Sequence, residues 1–271
     1  MEMSQGVLMI IGGGEDKKQE MAILREFVRL SGGDQARILV MTAATRLPQE
    51  VGSEYERVFR EIAGENVYVK TIHISVRSEA FDPAVIDEIN LATGVFFTGG
   101  SQFRISSVIG GTKVDIALHN RYDDGLVIAG TSAGASMMSS LMIIEGAAAE
   151  TATVGQTKLG AGLDFLPGVI VDQHFSQRGR TNRLLSAIAR HPHYLGIGID
   201  ENTSIIVRDK QFSVLGEGSI TVLDVGEVTS GLPDKDDDHG QNLAVTGVLM
   251  HLLTQGSSFD LRNRSVSVQQ Q

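Results

Sequence analysis

Five short, mainly apolar runs, each closed by a glycine or polar turn and followed by a helix-length segment, constrain the fold of this chain most. They cover residues 7–11, 37–41, 67–72, 94–98 and 126–129. Runs this short, rich in Val, Ile, Leu and Phe, have the length and composition of strands buried on both faces. The segments between them read as helices over about 17–30, closed by Gly32-Gly33, then over 49–63, 83–91 with Pro83 at its start, a stretch after Gln102, and 114–120. Alternation of strand and helix predicts an α/β domain with a mostly parallel sheet flanked by helices, in which function gathers at the carboxyl ends of the strands.

The fifth run leads into Gly130-Thr131-Ser132-Ala133-Gly134, and Ala135-Ser136-Met137-Met138 can then open a helix. Strand, sharp turn with serine at the tip, and helix is the layout of a nucleophile elbow. Such a turn strains the serine backbone and crowds its neighbours, so Gly130 and Gly134 stand where side chains would clash. The serine is then expected at the positive end of a helix dipole. A glycine-rich turn that only packs a helix against a sheet has the same local composition, so the remaining chain must discriminate.

Two other loops invite functional readings. Gly12-Gly13-Gly14 follows the first strand, but a dinucleotide fingerprint from Gly12 needs glycine at position 17, which is lysine, and no phosphate-loop pattern is present. The loop is read as a close-approach turn. The acidic stretch 234–238 fails as an EF-hand, because its sixth position is His239 and its twelfth Val245. It reads as a solvated loop within 226–241. Residues 142–166 read as a loop with short β pieces. Strands are expected over 168–172 and 195–199, a helix over 178–189, and a meander over 203–207, 212–215 and 220–225. A last apolar element spans 244–253, and the glutamine tail is expected to fray. No linker divides residues 1–271, which read as one domain.

Composition excludes several function classes. The net charge is −10, so nucleic acid is not an expected partner. There is no cysteine, which removes thiolate catalysis and cysteine-bound zinc; no metal site or other cofactor is evident. The first apolar run is too short for a signal segment or a membrane span, which makes the cytoplasm the default compartment. A homodimer is a compatible assembly.

A serine nucleophile needs a base, and the base needs an orienting group. Among seven histidines, only His73 and His174 lie at strand ends, and His174 is preferred for its polar surroundings: Asp172, Gln173, Ser176, Gln177, Arg178, Arg180 and Arg183. The orienting acid is Asp200 or Glu201, which alternation places on opposite faces. The N–H of Ala133 and that of Gly100 or Gly99 are the expected oxyanion donors. Arg178, Arg180 and Arg183 are either a solvated helix face or forks for substrate carboxylates, with Asp172 available to a cationic group.

Gly130-Thr-Ser-Ala-Gly-Ala-Ser136, Asp172-Gln-His-Phe-Ser-Gln-Arg-Gly-Arg180 and Gly198-Ile-Asp-Glu-Asn-Thr203 together resemble the cyanophycinase family of dipeptidase E-like serine peptidases, whose fold is similar to that of class I glutamine amidotransferases. The resemblance spans nearly the whole chain, and the block around His174 is its most specific part. It implies a triad of Ser132, His174 and Glu201, with Glu201 chosen over Asp200. It implies exo-hydrolysis of cyanophycin, a poly-aspartate bearing amide-linked arginines, to β-Asp-Arg dipeptides. It also implies pocket roles for Gln102, Gln173, Asp172 and the three arginines. Ser101 departs from the Asp or Asn expected after the Gly99-Gly100 turn in relatives. An aspartyl dipeptidase for short peptides, or a non-catalytic binding module on the same fold, are the alternatives.

Overall fold

In the computed structural model, residues 5–148, 150–226 and 240–268 are described. The parallel core is built from β1 (Val7–Ile11), β2 (Arg37–Met41), β3 (Tyr68–Ile72), β4 (Gly94–Phe97) and β5 (Val127–Thr131). They lie in the order β1-β5-β4-β2-β3. β1 runs parallel to β5 with Ile11 opposite Thr131, so the first glycine loop and the serine turn leave the sheet side by side.

Side chains alternate across this sheet. Val7, Met9 and Ile11 pack on one face with Phe27, Tyr55, Phe59 and Phe96. That face is covered by α1 (Ala22–Leu30) and α2 (Pro48–Ala63), and Phe27 and Phe59 each stand 5.4 Å from the Phe96 ring. Leu8 and Ile10 face the opposite core, with Phe97, Ile105, Leu118 and Ile128. There lie α3 (Pro83–Leu91), α4 (Gln102–Ile109) and α5 (Lys113–Asp123). Tight aromatic and aliphatic packing on both faces is the main source of stability in such a layered fold.

Several boundaries differ from expectation for identifiable reasons. α1 begins at Ala22 rather than near Lys17, because the Asp16 carboxylate accepts the N–H groups of Lys18, Gln19 and Met21 in a compact turn. Those bonds hold Asp16 down to about 2. The helix after the serine turn, α6 (Ala133–Ser136), is a single turn, so the expected helix dipole behind the serine is reduced to a few N–H groups. The helix expected over 178–189 is divided. A 3-10 turn (Ser176–Arg178) ends at Gly179, whose φ of 57° is left-handed, and α7 (Thr181–Ala189) follows.

The second half builds a hairpin, one further sheet and an extension of the main sheet. β6 (Leu141–Glu145) and β7 (Lys158–Ala161) form the hairpin expected as short β pieces. β8 (Val169–Gln173) and β9 (Leu195–Ile199) are parallel, but they belong to a second sheet. β10 (Thr203–Arg208) and β11 (Gln211–Gly216) extend the main sheet antiparallel to β1. β12 (Ile220–Asp224) does not continue that meander. Gly216, at φ 127°, turns the chain away, and β12 pairs with β9 and with β13 (Leu249–Leu253) in the second sheet. β14 (Ser257–Asp260) and β15 (Ser265–Val268), unexpected from sequence, complete the nine-stranded main sheet. Most of the acidic stretch tested as an EF-hand lies outside the described residues, as does the glutamine tail.

Candidate active site

Three chain turns converge on the ends of β1, β5, β8 and β9. Ser132 sits at the tip of the β5–α6 turn with φ 53° and ψ −108°, a conformation costly for a side-chain-bearing residue. Both flanking glycines are required by contact. A Cβ on Gly130 would lie 2.2 Å from the Gly134 carbonyl oxygen, and one on Gly134 would lie 2.4 Å from that of Phe97. The Ser132 hydroxyl meets His174 Nε2 at 3.0 Å. His174 Nδ1 meets Glu201 Oε1 at 2.5 Å. A carboxylate oxygen accepts, so Nδ1 carries the hydrogen and Nε2 is left to accept the serine proton.

Asp200 points elsewhere. Its carboxylate accepts the N–H of Ser176 and both N–H and O–H of Ser219. Burial pushes its pKa up, but these bonds outweigh burial and hold it below the ordinary Asp value. The alternation argument for an acid on each face is therefore realised, with Glu201 on the histidine side. His73 is bonded to Thr42 at the β2–β3 edge of the sheet, two and three strands away from β5.

The glycine loop is the hub of the arrangement. Consecutive carbonyls hold the three turns: Ile11 accepts the Ser132 N–H at 3.0 Å, Gly12 the His174 N–H at 2.8 Å, and Gly13 the Asn202 N–H at 2.9 Å. A Cβ on Gly13 would stand 2.4 Å from the His174 ring, and one on Gly14 would stand 3.2 Å from the Glu201 carboxyl. The close-approach reading of this loop now has its partners. Sequence reasoning did not find them, since nothing local to the loop identifies what packs on it.

The N–H of Ala133 heads the α6 turn, and no described group accepts from it. Gly99 lies beside the serine, where an added Cβ would be 3.4 Å from Ser132 Cβ. Gly100 adopts φ 141°, and a Cβ there would strike the Ala44 carbonyl at 2.3 Å. The Gly99-Gly100 turn therefore lies against the Ser132 turn with no side chain between them. Ser101 caps α4 by accepting the Arg104 N–H, and Gln102 donates to the Ile143 carbonyl at 2.7 Å.

The polar cluster after β8 is not a solvated face. Asp172 is 1% exposed, and Arg180 and Arg183 are 8% and 6% exposed. Arg183 Nε and Nη2 reach the two Asp172 oxygens at 2.8 and 2.5 Å, and Arg180 Nη1 reaches Asp172 Oδ1 at 3.2 Å. Arg183 also holds the Gly146 carbonyl, and Arg180 the carbonyl and Oε1 of Gln173. Burial lowers the Arg180 guanidinium to about 10, against the pull of Asp172, which leaves it charged near neutrality. In the free protein Asp172 and Arg183 therefore have each other as partners, which a substrate cation or carboxylate would have to share or displace. These groups satisfy one another beneath the site and set the Gln173-His174 backbone. Arg178, outside α7, is exposed with no ion pair among the described residues.

Burial lowers the His174 pKa, Glu201 opposes this, and the Arg178 and Arg180 charges add to the lowering. A base must be neutral to accept the serine proton. Reaction at Ser132 should therefore persist below the ordinary histidine value of about 6.5. We expect the acid limb of kcat/KM to have its midpoint below that value, and Arg178→Gln to move it upward. A rate–pH profile for both proteins checks the sign.

The model of peptidase family S51 matches residues 8–215. The chain is 38% identical over 270 residues to the cyanophycinase of Trichormus variabilis, covering 98% of this chain and 89% of that protein. It is 35% identical over 264 residues to the cyanophycinase of Thermosynechococcus vestitus, covering 97% and 81%. A crystal structure of a peptidase from an acI-B1 Actinobacterium shares the fold, with a TM-score of 0.68 at 19% identity over 96% of this chain and 98% of that one.

Proposed function

The chain belongs to peptidase family S51, and from that premise we propose that it is a serine exopeptidase of cyanophycin, releasing β-Asp-Arg dipeptides through Ser132, His174 and Glu201. The observation that carries the reading is the line from Ser132 Oγ to His174 Nε2 at 3.0 Å and from Nδ1 to Glu201 at 2.5 Å. It stands in a chain 38% identical to a cyanophycinase over nearly its full length.

Ser132 Oγ attacks the main-chain carbonyl carbon of the polymer as its proton passes to His174 Nε2. Glu201 holds the ring through Nδ1 and stabilises the imidazolium. The oxyanion is met by the N–H groups of Ala133 and Gly100. Collapse of the intermediate breaks the C–N bond, and His174 returns its proton to the leaving amine. Water, deprotonated by His174, then hydrolyses the serine ester. Arg178, which is exposed, and the Gln102 amide oxygen, which the Ile143 contact leaves free, are the groups we assign to the polar atoms of the bound unit. The reading takes the enzyme to be cytoplasmic and a homodimer to be its compatible assembly. Among the described residues, no helix is long and apolar enough to cross a membrane.

The test is product analysis on purified cyanophycin, with α-linked Asp dipeptides as the competing substrate. Release of β-Asp-Arg, with at least about 100-fold lower kcat/KM on α-linked dipeptides, is the expected result, a preference of about 3 kcal/mol in transition-state binding. Cleavage of the short α-linked peptides with an inert polymer would overturn it.

A further inference from the structure

Glu15 is a buried carboxylate that the proposed reaction leaves unused. It is 6% exposed, and both of its oxygens are engaged. Oε2 accepts the Thr131 hydroxyl at 2.6 Å, and Oε1 accepts the Tyr55 hydroxyl in a short contact. Tyr55 is itself 3% exposed, wedged against Phe96 with ring centroids 4.7 Å apart. Burial first, and then Glu15, push the Tyr55 pKa well up, so its hydroxyl remains a donor.

The position of this contact in the chain is what gives it consequence. Glu15 directly follows the glycine loop whose carbonyls hold the backbones of His174 and Asn202. Thr131 directly precedes Ser132, whose φ of 53° must be imposed by its surroundings. The Glu15–Thr131 bond thus joins the loop that carries base and acid to the residue that carries the nucleophile. It does so at the point where β1 and β5 have ended their pairing at Ile11 and Thr131. Beyond that point the other described tie between the two turns is the single N–H bond from Ser132 to Ile11. A buried carboxylate that only satisfied neighbouring hydroxyls would need neither of these addresses.

We infer that Glu15 is a positioning residue, which through the Thr131 hydroxyl fixes the aim of Ser132 relative to His174. The inference rests on Ser132 being the nucleophile. A misplacement of about 1 Å in such a pair costs about 100-fold in rate, whereas substrate binding by remote groups is untouched. The consequence is a fall in kcat with KM nearly constant.

Four variants separate positioning from mere stability: Glu15→Gln, Thr131→Val, Thr131→Ser and Tyr55→Phe. Thr131→Val removes the bond to the nucleophile turn. Tyr55→Phe removes the other bond to the same carboxylate and leaves the Thr131 bond in place. Each is measured for melting temperature, for kcat and KM, and for the rate of covalent labelling by a small fluorophosphonate, which does not depend on the identity of the natural substrate. Thr131→Val and Glu15→Gln are expected to label and turn over about 10- to 100-fold more slowly with KM within about twofold. Thr131→Ser, which keeps the hydroxyl, is expected to recover most of the rate. Tyr55→Phe is expected to lose melting temperature but less than about threefold in labelling. Activity in Thr131→Val equal to that of the parent overturns the inference, as does a loss in all variants that simply follows melting temperature. If the parent protein itself does not label at Ser132, the proposed mechanism fails instead, and the two failures are distinguishable.

Discussion

Ser132→Ala should lower hydrolysis by at least about 10⁴-fold while the protein melts close to the parent temperature. Removal of a serine nucleophile leaves only binding and oxyanion stabilisation, and in serine peptidases that residue is a small part of the rate. The fold should not notice the change. The Ser132 hydroxyl bonds to His174 at 3.0 Å and approaches Gln173 only at 3.5 Å, so no buried partner is orphaned: the histidine is half-buried and can bind water. The backbone bonds that shape the turn, from Ser132 N–H to Ile11 and from Ala135 and Ser136 N–H to Ser132 O, do not involve the side chain. Fluorophosphonate labelling and turnover on the same preparations check the result. Turnover within tenfold of the parent would remove Ser132 from the mechanism. Retained substrate binding in the inactive variant would make it the form in which to examine a complex.

How much of this was legible in the sequence differs from element to element, for physical reasons. β1, β2, β4 and β5 are short and almost wholly apolar, and the edge strand β3 keeps one buried face, so each run declared itself locally; the Ser132 turn was legible because glycine is required on both sides of it. His174 and the pair Asp200 and Glu201 were legible as residues just beyond apolar runs, but only the family resemblance favoured Glu201 over Asp200. The membership of β8 and β9 in a second sheet was not, because a strand's partners depend on packing far along the chain. β14 and β15 escaped notice since an edge strand with one covered face needs only alternate apolar residues, and Phe259 and Val266 are too few to stand out. The arginines were open between a solvated face and forks for substrate carboxylates, and burial excludes the solvated face for Arg180 and Arg183. Three arginines in six residues usually face water. Here Gly179 ends the 3-10 turn, leaves Arg178 outside, and sends Arg180 and Arg183 inward to Asp172. The near-continuous burial of α7 from Arg183 to Ala189 shows the cause: an inward-facing helix start carries its charged residues with it.

That buried trio yields the largest expected effect on stability. Asp172→Ala should cost about 3–5 kcal/mol, because it strips the counter-charge from two buried guanidinium groups and leaves them unpaired. For a domain of this size that is a fall of roughly 6–20 °C in melting temperature. Asp172→Asn, which keeps the shape and part of the hydrogen bonding, should lie between the variant and the parent. The effect should reach the candidate site by a stated route. Arg180 Nη1 bonds Asp172 Oδ1 together with the carbonyl and side-chain oxygen of Gln173, and Gln173 is covalently joined to His174. A freed Arg180 would pull the Gln173 amide away from the serine. The competing role for Asp172, a direct partner of a substrate guanidinium, predicts the opposite pattern: a raised KM with an unchanged melting temperature. Thermal unfolding without substrate decides between them, since a residue whose partner is the substrate contributes nothing to the melting of the free enzyme, and one that neutralises two buried arginines contributes most of its effect there.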